Sequence, residues 1–441
     1  MINRVLIGCA AAAAAFVVAS CSAGTTLPVE QGYGSSPTLP EPREQTIPYV
    51  NIAPAQPWEG EAAPTPAEGL AVSAFVRDLD HPRWIYVLPN GDVLVAESNA
   101  PANRPDEQRG IRAFFMRQAM SQAGASAPSA DRITLLRDAE GDGVAEVRTT
   151  FISGLHSPFG MTLVGSDLYV ANTDAILCFP YRTGQTEITA APVRFVELPA
   201  GTRNHHWTKN IIANADGTRL YATVGSNSNV AENGMEVEAE RAAIWEINRA
   251  SGEHRLFATG LRNPNGMDWQ PQTGALWTVV NERDEIGNDL VPDYMTSVRD
   301  GAFYGWPYYY YGTHRDERAE IPANVHLQQA TSPDFALGSH TASLGLVFNR
   351  GDALGARYRG GAFVGQHGSW NRSEASGYEV VFVPFANGQP SGEPQDVLTG
   401  FLDERENARG RPVGVAMDRG GNLLVADDVG NVIWRVTAAR R

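Results

Sequence analysis

Short apolar stretches joined by glycine-containing turns recur along the chain from about residue 67 to its end. The segment IYVLPNGDVLVAES (85–98) pairs two such stretches across an Asn-Gly turn. Looser copies of this pattern occupy residues 160–173, 211–226, 265–282, 345–348 with 360–369, and 413–428. Short stretches rich in β-branched and aromatic residues, separated by turns of the NG, DG, TG or GG type, predict antiparallel β-hairpins.

A further strand-like stretch follows most of these copies: RITLLRD, AILCFPY, AAIWEIN, YEVVFVPF and VIWRVTA. Six copies of one such unit predict an all-β fold, a six-bladed β-propeller of four-stranded antiparallel blades with loop and helical insertions. We expect insertions at 104–122, where the pattern is helical, and at 289–335. A two-sheet sandwich needs fewer strands, and a parallel α/β fold needs helices between them.

The first 21 residues combine Arg4, an apolar run and the sequence VVASC, which is typical of an export signal ending in a bacterial lipobox. The sequence therefore predicts lipidation of Cys21, with an ordinary signal peptide and a chance cysteine as the alternative. Ser22 after the cysteine favours an exported, lipid-anchored protein on the periplasmic face of the outer membrane, or at the cell surface. Residues 22–66 are rich in Pro, Gly and Ser and predict an extended tether. Residues 67–441 then form the propeller domain.

Composition excludes several classes of function. The formal net charge of −15 argues against a nucleic-acid partner and against binding to a polyanionic membrane surface. Cys178 is the only cysteine after Cys21, so the mature chain has no internal disulfide. A GxSxG nucleophile motif, a zinc-spaced Cys/His set, a Walker loop and a Rossmann βα unit are all absent from the sequence.

Polar residues recur just before or after the predicted inner strands, which line the central channel of a propeller. They are His156, His206, His340, His367, Arg262 and Arg411. Taken singly, each of these residues is more simply explained as a surface or half-buried loop residue. Taken together, they predict a ring of polar side chains at one mouth of the channel. Guanidinium groups bind carboxylates bidentately, and a histidine among cations has a lowered pKa, so the ring suits a planar polyanionic ligand with a base beside it. A purely structural ring of hydrogen bonds is the alternative.

Two acidic stretches contain side chains that could bind a metal ion. VVNERDEIGNDLVPDY (279–294) crowds carboxylates and amides after an inner strand, a ligand set that suits Ca²⁺ better than zinc. A solvated acidic loop is the alternative. RDAEGDGVAEVRT (137–149) is interpreted as a hairpin turn, with a structural ion as a minor option.

Several of these motifs together resemble one family. GLRNPNG, NERDE, YGWP, GQHGSWNR and GRPVGVAMDRGGNLLVADD are similar to the soluble quinoprotein glucose and sorbosone dehydrogenases, and favour the sorbosone-dehydrogenase-like branch. The resemblance covers about residues 67–438. It implies a six-bladed propeller that uses pyrroloquinoline quinone (PQQ) and Ca²⁺.

Site residues follow from the resemblance by position. It implies that His206, within RNHHWTKN (203–210), is the base that removes the C1 hydroxyl proton while hydride moves to the quinone. Arg262 and Asn263 would bind the cofactor, with Arg262 also stabilising developing negative charge, and Arg411 would bind it from the last blade. The implied calcium ligands are Asn281, Glu282 and Asp284.

The chain departs from the glucose-type pattern at several positions. Val413 occupies the place of a second arginine. His367 is the nearest substitute for a lysine, which would make cofactor binding pH-dependent. His340 or Thr341 stands near the place of a threonine, and Asn281-Glu282 replaces a Gly-Pro pair whose carbonyls hold calcium. We therefore expect cofactor affinity to differ from that of the glucose type.

The function expected from the sequence is a PQQ-dependent sugar or aldehyde dehydrogenase. It would oxidise an aldose or related sugar aldehyde of the sorbosone or glucose type and pass electrons to a quinone or a cytochrome. A calcium-dependent propeller lactonase of the gluconolactonase type is the first alternative, although cations rather than carboxylates line the predicted mouth. A non-catalytic propeller that serves as a binding module is the second.

Overall fold

Six β-sheets arranged around a central axis form the blades of the molecule, and the described residues form two further two-stranded sheets. The computed structural model describes residues 25, 27–43, 50–101, 122–124, 127–201, 203–323 and 329–439. Each sheet has four antiparallel strands of a blade, and two sheets carry a fifth short strand. The predicted six-bladed all-β propeller is confirmed.

Three strands precede the first blade: β1 (Tyr33–Gly34), β2 (Thr65–Pro66) and β3 (Leu70–Val76). Blade 1 contains β4 (Pro82–Val87), β5 (Val93–Glu97), β6 (Arg132–Arg137) and β7 (Val147–Ile152). Blade 2 contains β8 (Met161–Val164), β9 (Asp167–Ala171), β10 (Ala175–Pro180) and β11 (Val193–Glu197). Blade 3 contains β12 (Ile211–Ala213), β13 (Arg219–Val224), β14 (Ala243–Asn248) and β15 (His254–Thr259).

Blade 4 contains β16 (Asn263–Trp269), β17 (Leu276–Asn281) and β18 (Pro292–Ser297); after the hairpin of β19 (Tyr309–Tyr310) and β20 (His314–Arg315) it ends with β21 (Phe335–Ser339). Blade 5 contains β22 (Ser343–Phe348), β23 (Ala362–Gln366) and β24 (Glu379–Val383); after the hairpin of β25 (Phe385–Ala386) and β26 (Gln389–Pro390) it ends with β27 (Gln395–Thr399). Blade 6 contains β28 (Pro412–Met417), β29 (Leu423–Asp427) and β30 (Val432–Ala438). Three 3₁₀ turns span Val29–Gly32, Met235–Glu238 and Ala356–Tyr358.

The ring closes by joining the two ends of the domain in one blade. The outer strand of blade 6 is β3, which pairs antiparallel with β30 from Leu70 opposite Ala438 to Val76 opposite Ile433. A ring closed in this way leaves no open edge between its first and last blades. The repeat pattern predicted the other strands of this blade but not the N-terminal origin of its outer one.

Among the described residues, six of the seven hydrophobic clusters lie between neighbouring blades, one at each interface, and the seventh consists of Val230, Tyr308 and Ala319. Between blades 1 and 2, for example, Trp84 and Phe151 pack with Phe159 and Phe179. The other five clusters fill the remaining interfaces in the same way. Each blade is therefore buried on both faces, which explains why many strands read as continuous apolar runs rather than as alternating ones.

Around the axis, the inner strands approach one another so closely that some positions admit only glycine. A Cβ at Gly345 of β22 would overlap the carbonyl oxygen of Val413 in β28. A Cβ at Gly414 would lie 2.8 Å from the carbonyl oxygen of Arg83 in β4. Blades 5, 6 and 1 thus meet backbone to backbone, which fixes the positions from which the mouth residues project.

Part of the predicted tether lies on the domain. Within 22–66, β1 adds to the outer edge of β21 in blade 4, and β2 adds to β27 in blade 5. Extended Pro-rich chain carries no periodic apolar pattern, but its backbone can still pair with an exposed strand edge. The sequence composition therefore gave no sign of this docking.

Two expected insertions have different outcomes. The 289–335 insertion is narrower than expected, because β18 within it is the buried third strand of blade 4 and only the chain between β18 and β21 is inserted. The helix expected at 104–122 lies outside the described residues except for its last residue, Gln122. Within the part of the chain that the structure describes, no helix is long and apolar enough to cross a membrane.

Gly345→Ala should destabilise the propeller by about 1–3 kcal/mol, because the added methyl group forces β22 away from the Val413 carbonyl. Chemical denaturation measures this as a lower midpoint. Gly351→Ala is the matched control: the nearest atom, Asn349 Oδ1, lies 4.0 Å from its added Cβ, so the change should stay within about 0.5 kcal/mol. Equal effects of the two substitutions would contradict the close packing of β22 on β28.

Candidate functional site

Strand pairing brings the predicted site residues to one mouth of the channel. The start of each inner strand lies opposite the end of the second strand, as in Pro82 with Glu97, Asn263 with Asn281, and Pro412 with Asp427. Residues just before an inner strand and residues just after a second strand therefore share the same end of the blade. Most of the predicted site residues belong to one of these two groups.

His206, just before β12, has a defined tautomer. Its Nδ1 lies 2.8 Å from the carbonyl oxygen of Ser226 and 3.0 Å from the Ser226 hydroxyl. Because a carbonyl can only accept, Nδ1 carries the proton and Nε2 of the neutral ring is a free base. Burial, followed by the neighbouring charges of Arg262 and His205, lowers the pKa of His206 well below its ordinary value. The ring is thus neutral at neutral pH.

Lys209, three residues later, supports the same loop and was not singled out from the sequence. Its side chain is fully buried, and Nζ donates to the carbonyls of His206 (3.2 Å) and Trp207 (3.3 Å). Burial lowers the pKa of Lys209 far below the ordinary lysine value. These two hydrogen bonds fix the backbone from which the His206 ring projects.

Arg262 and Asn263 adjoin His206 at the start of blade 4. The Arg262 guanidinium donates to the Glu282 carbonyl at 2.7 Å and to Asp284 Oδ2 at 2.9 Å. A Cβ on Gly225 would lie 2.5 Å from Asn263 Oδ1 and 2.6 Å from His206 Cβ, so the absence of a side chain at residue 225 lets these two groups approach. Among the described residues, Asn263 Oδ1 has no hydrogen-bond partner although it is buried.

Asp284 gathers donors from two blades. Its Oδ2 accepts from Arg262, and its Oδ1 accepts from Asn371 Nδ2 at 2.9 Å and lies 3.3 Å from His340 Nδ1. Burial alone would raise the pKa of Asp284, but Arg262 and the hydrogen bond from His340 lower it to about 2. The second ring nitrogen of His340 contacts the Gly287 carbonyl at 3.0 Å. Both nitrogens of His340 are therefore engaged by the protein, and neither is free for the cofactor contact expected from the sequence.

The expected calcium ligands do not form a ligand cage. Glu282 accepts hydrogen bonds from the backbone amides of Arg283 (2.9 Å) and Tyr311 (3.4 Å), and burial raises its pKa to about 7. Asn281 donates its amide to the Ser343 carbonyl at 2.7 Å. Both oxygens of Asp284 accept from cationic or amide donors. The sequence showed the crowded acids but not the arginine and histidine that neutralise them.

Another acidic group lies elsewhere on blade 1. Among the described residues, the one cluster of three Asp, Glu, His or Cys ligand atoms within 4.8 Å of one another is Asp138, Asp142 and Glu146. Asp138 accepts from the backbone amides of Gly141, Asp142 and Gly143 in the turn between β6 and β7. The interpretation of 137–149 as a hairpin turn is confirmed.

A second buried carboxylate, Asp428, follows β29 and was missed by the sequence analysis. Its Oδ2 accepts from Arg83 Nη1 at 2.5 Å and lies 2.8 Å from His367 Nε2 and 3.5 Å from His81 Nε2. Burial opposes ionisation, but His367, His81 and Arg83 together hold the pKa of Asp428 far below its usual range. Its other oxygen is buried and has no partner among the described residues.

Arg83 occupies the region around Val413, the position at which the glucose-type pattern has a second arginine. It begins the inner strand of blade 1, and its guanidinium carbon lies 5.8 Å from the centre of the Trp207 ring. Arg83 therefore links the Asp428 cluster to the His206 loop across the channel. HPRW (81–84) spans the start of the first inner strand as RNPN (262–265) spans the start of the fourth, and this correspondence could have revealed Arg83.

His367 differs from expectation in its charge, and Arg411 differs in its contacts. Burial lowers the pKa of His367 to about 4, so it is neutral near pH 7 and does not replace the charge of a lysine. Arg411 donates from Nη2 to the Ala53 carbonyl at 3.1 Å and lies 4.9 Å from the centre of the Tyr378 ring. Its Nε has no partner among the described residues. Val413 is fully buried.

Asp284→Asn should destabilise the protein by about 3–5 kcal/mol at pH 7, because it leaves the buried Arg262 without its counter-charge. The folded pKa of about 2 lies below the unfolded value of about 3.9. The stabilisation is therefore fully present above pH 4, and the difference from the wild type should shrink as the pH falls from 4 towards 2. Denaturation curves at several pH values measure it.

Asp300→Asn is the matched control for this substitution. Asp300 pairs with Arg255 through two hydrogen bonds of 2.5 and 2.8 Å, and both side chains are about half exposed. Exposed pairs contribute less than about 1 kcal/mol. A loss for Asp284→Asn that is no larger than for Asp300→Asn would show that the Asp284 cluster does not stabilise the fold.

Comparison with known proteins finds two family models that match parts of the chain. Residues 169–371 match the family model described as Glucose / Sorbosone dehydrogenase, and residues 316–439 match the model described as TrAA12-like. An uncharacterized protein from Borreliella burgdorferi is 26% identical over 305 residues, which cover 65% of this chain and 77% of that protein. Both family matches include His340 and His367, and only the Glucose / Sorbosone dehydrogenase match includes Arg262 to Asp284.

Solved structures share the propeller. A calcium structure of the Trichoderma reesei Carbohydrate-Active Enzymes Family AA12 protein aligns with a TM-score of 0.68 at 18% identity, over 89% of this chain and 99% of that chain. The holo form of the pyranose dehydrogenase PQQ domain from Coprinopsis cinerea aligns with a TM-score of 0.66 at 20% identity, over 88% and 100%. The apo form of the Escherichia coli soluble aldose sugar dehydrogenase gives 0.57 at 15%, over 84% and 100%. At these identities the likeness shows the fold.

Proposed function

We propose that this propeller, whose residues 169–371 belong to the glucose/sorbosone dehydrogenase family, oxidises an aldose or related sugar aldehyde with PQQ. The observation that carries the proposal is the state of His206. Its Nδ1–H donates a hydrogen bond to the Ser226 carbonyl, and the basic Nε2 is left beside Arg262 and Asn263. A base with a lowered pKa, next to a guanidinium group, suits removal of a proton from a sugar hydroxyl.

The polar groups of the mouth fit a planar anionic cofactor. Arg83 Nε, Arg411 Nε and Asn263 Oδ1 are buried and have no hydrogen-bond partner among the described residues. Buried polar atoms without a protein partner are expected to bind a ligand or water. Guanidinium donors from two blades match a ligand with more than one carboxylate. Arg262 and Asn263 would hold the cofactor on the His206 side, and Arg83 and Arg411 on the other.

The chain's own residues supply the proton chemistry. His206 Nε2 would accept the proton of the C1 hydroxyl, and the Ser226 carbonyl would stabilise the resulting imidazolium through Nδ1–H. Bound PQQ would supply the acceptor for the hydride that leaves C1. Lys209 would keep the base in place, because both of its hydrogen bonds hold the His206 loop.

No step is assigned to calcium. Binding of an ion by Asp284 would require Arg262, His340 and Asn371 to give up their contacts with it. The side chains of Asn281, Glu282 and Asp284 therefore do not fit the expected calcium site as they stand. The lactonase alternative needs a carboxylate-held ion in the channel, so the paired state of these acids also argues against it.

Location and electron acceptor complete the proposal. The lipobox supports export and lipidation at Cys21, which lies outside the described residues, and attachment to the periplasmic face of the outer membrane or to the cell surface. A quinone or a cytochrome would receive the electrons. A sugar is the proposed substrate.

The proposal is tested by titrating purified residues 25–441 with PQQ, with and without added Ca²⁺, and following absorbance. A panel of aldoses and aldehydes with a dye acceptor is then added. Saturable binding followed by sugar-dependent bleaching is expected. Binding without bleaching would mean that the substrate class is wrong, and turnover of a lactone without PQQ would favour the lactonase. The absence of both binding and turnover would favour a non-catalytic binding module.

His206→Ala should lower kcat by about 10²–10⁴-fold with little change in PQQ affinity, because it removes the base rather than the cofactor contacts. His156→Ala is the matched control: His156 occupies the corresponding position in blade 2, but its side chain is half exposed and pairs with Asp174 at 3.2 Å. Activity in the control should stay within about twofold. The lowered pKa of His206 also places the acid limb of kcat/KM below pH 6.5.

Arg83→Lys keeps the charge beside Asp428 but loses the forked guanidinium and its Nε. If Arg83 binds a carboxylate of the cofactor, the Kd for PQQ should rise by about 10–100-fold, the loss expected for one or two charge-assisted hydrogen bonds. Absorbance titration measures it. Arg255→Lys changes an exposed surface arginine and should leave the Kd unaltered. An unchanged Kd for Arg83→Lys would remove Arg83 from the cofactor site.

A further inference from the structure

The N-terminal segment begins at the rim of the candidate site. The backbone amide of Thr25 donates to the Ser373 hydroxyl at 3.0 Å, and Arg372 Nη2 donates to the Leu27 carbonyl at 3.0 Å. Farther along the segment, Asn51 donates to the Trp370 carbonyl at 2.8 Å and to the Arg372 carbonyl at 2.9 Å. These contacts all fall on residues 367–378, which we name the blade-5 mouth loop and which connects β23 to β24.

The same loop forms part of the site. His367, its first residue, lies 2.8 Å from Asp428. Asn371 donates to Asp284, the partner of Arg262. Thr25 is therefore bound to Ser373, only two residues beyond a side chain that holds the Asp284 cluster together. The opposite mouth of the channel is formed by the turns that join inner and second strands, such as residues 214–218 between β12 and β13.

We infer that the mouth carrying His206, rather than the opposite mouth, faces the lipid surface to which the protein is anchored. This rests on the lipidation of Cys21 in the proposed function. Four peptide steps separate Cys21 from Thr25, and at ~3.8 Å per step the lipidated residue lies within roughly 15 Å of the mouth loop. The β1–β21 pairing and the Arg372 contact hold this attachment point on blades 4 and 5.

The orientation restricts the electron acceptor. A folded domain of 100 residues has a radius of gyration of about 13 Å and so a diameter above 25 Å. Such a domain does not fit between the mouth and a membrane held roughly 15 Å away. A lipid-soluble quinone, which reaches the mouth from the bilayer, does fit. Within the proposed function, the acceptor is therefore a membrane quinone rather than a cytochrome.

Contact quenching tests the orientation without requiring turnover. The full-length lipidated protein carries Cys178→Ser and one fluorophore, at Glu374→Cys in the mouth loop or at Asp216→Cys in the opposite turn; both native side chains are exposed. The protein is reconstituted on vesicles that contain a lipid with a nitroxide on its headgroup. Quenching should be several-fold greater at residue 374 than at residue 216. Equal quenching, or stronger quenching at 216, overturns the inference.

Two further variants test whether the lipid anchor causes the difference in quenching between residues 374 and 216. Inserting 20 Gly/Ser residues between Gly24 and Thr25 should abolish the difference between the two labels, because the anchor no longer restrains the mouth. Cys21→Ser should abolish quenching at both positions, and persistent preferential quenching at 374 would refute attachment through Cys21.

Dye-linked sugar oxidation by the same samples reports separately on the proposed activity. A protein that oxidises sugar but shows no label difference retains the proposed function and loses the inference. Activity with a vesicle-borne quinone should fall in the insertion variant while dye-linked activity stays unchanged. An equal rate with the vesicle quinone in both proteins would contradict the assigned acceptor.

Discussion

The partly buried carboxylate of Asp284 is the group on which the arrangement of the mouth depends. Removing a carboxylate from water costs several kcal/mol, and only well-placed donors offset that cost. Here the donors come from Arg262 at the start of blade 4, from His340 before blade 5, and from Asn371 in the blade-5 mouth loop. Asp428 plays the same part between blades 5, 6 and 1 through His367 and Arg83. Two carboxylates thus connect mouth loops of different blades to one another.

This pairing changes the electrostatic character of the mouth. The sequence indicates a ring of cations, but the charges of Arg262 and Arg83 are balanced by Asp284 and Asp428. What the mouth offers a ligand is a set of oriented N–H donors, the unpaired buried amide oxygens of Asn263 and Asn371, and the guanidinium of Arg411, which has no carboxylate partner among the described residues. Oriented donors recognise the shape of a planar carboxylate ligand, and their balance limits attraction to unrelated anions.

The fold was largely predictable because its repeat consists of apolar stretches and glycine-containing turns, and each of these determines the local backbone structure. The third strand of blade 4 was missed since Pro292 and Asp293 interrupt its pattern, and Asp293 is buried only because it caps the Glu282 and Ala342 amides. His206 and Arg262 were selected because they follow the repeat, and Asn263 was selected from the resemblance to the dehydrogenase family. Arg83 and Asp428 were missed because their partners lie on distant blades, and burial and pairing depend on the assembled ring.

His367 shows how burial can reverse an argument made from residue type. A histidine in place of a lysine suggested a pH-dependent cation, but desolvation lowers its pKa to about 4 and leaves a neutral donor to Asp428. The cation that contacts Asp428 in that region is instead Arg83, from the inner strand β4 of blade 1. Since the N-terminal segment also contacts Arg411 through Ala53, the attachment of the chain, the closure of the ring and the donors of the site share one mouth. In the proposed lipid-anchored protein, this arrangement would place the attachment point of the chain beside the mouth that binds the ligand, which a freely mobile tether would not do.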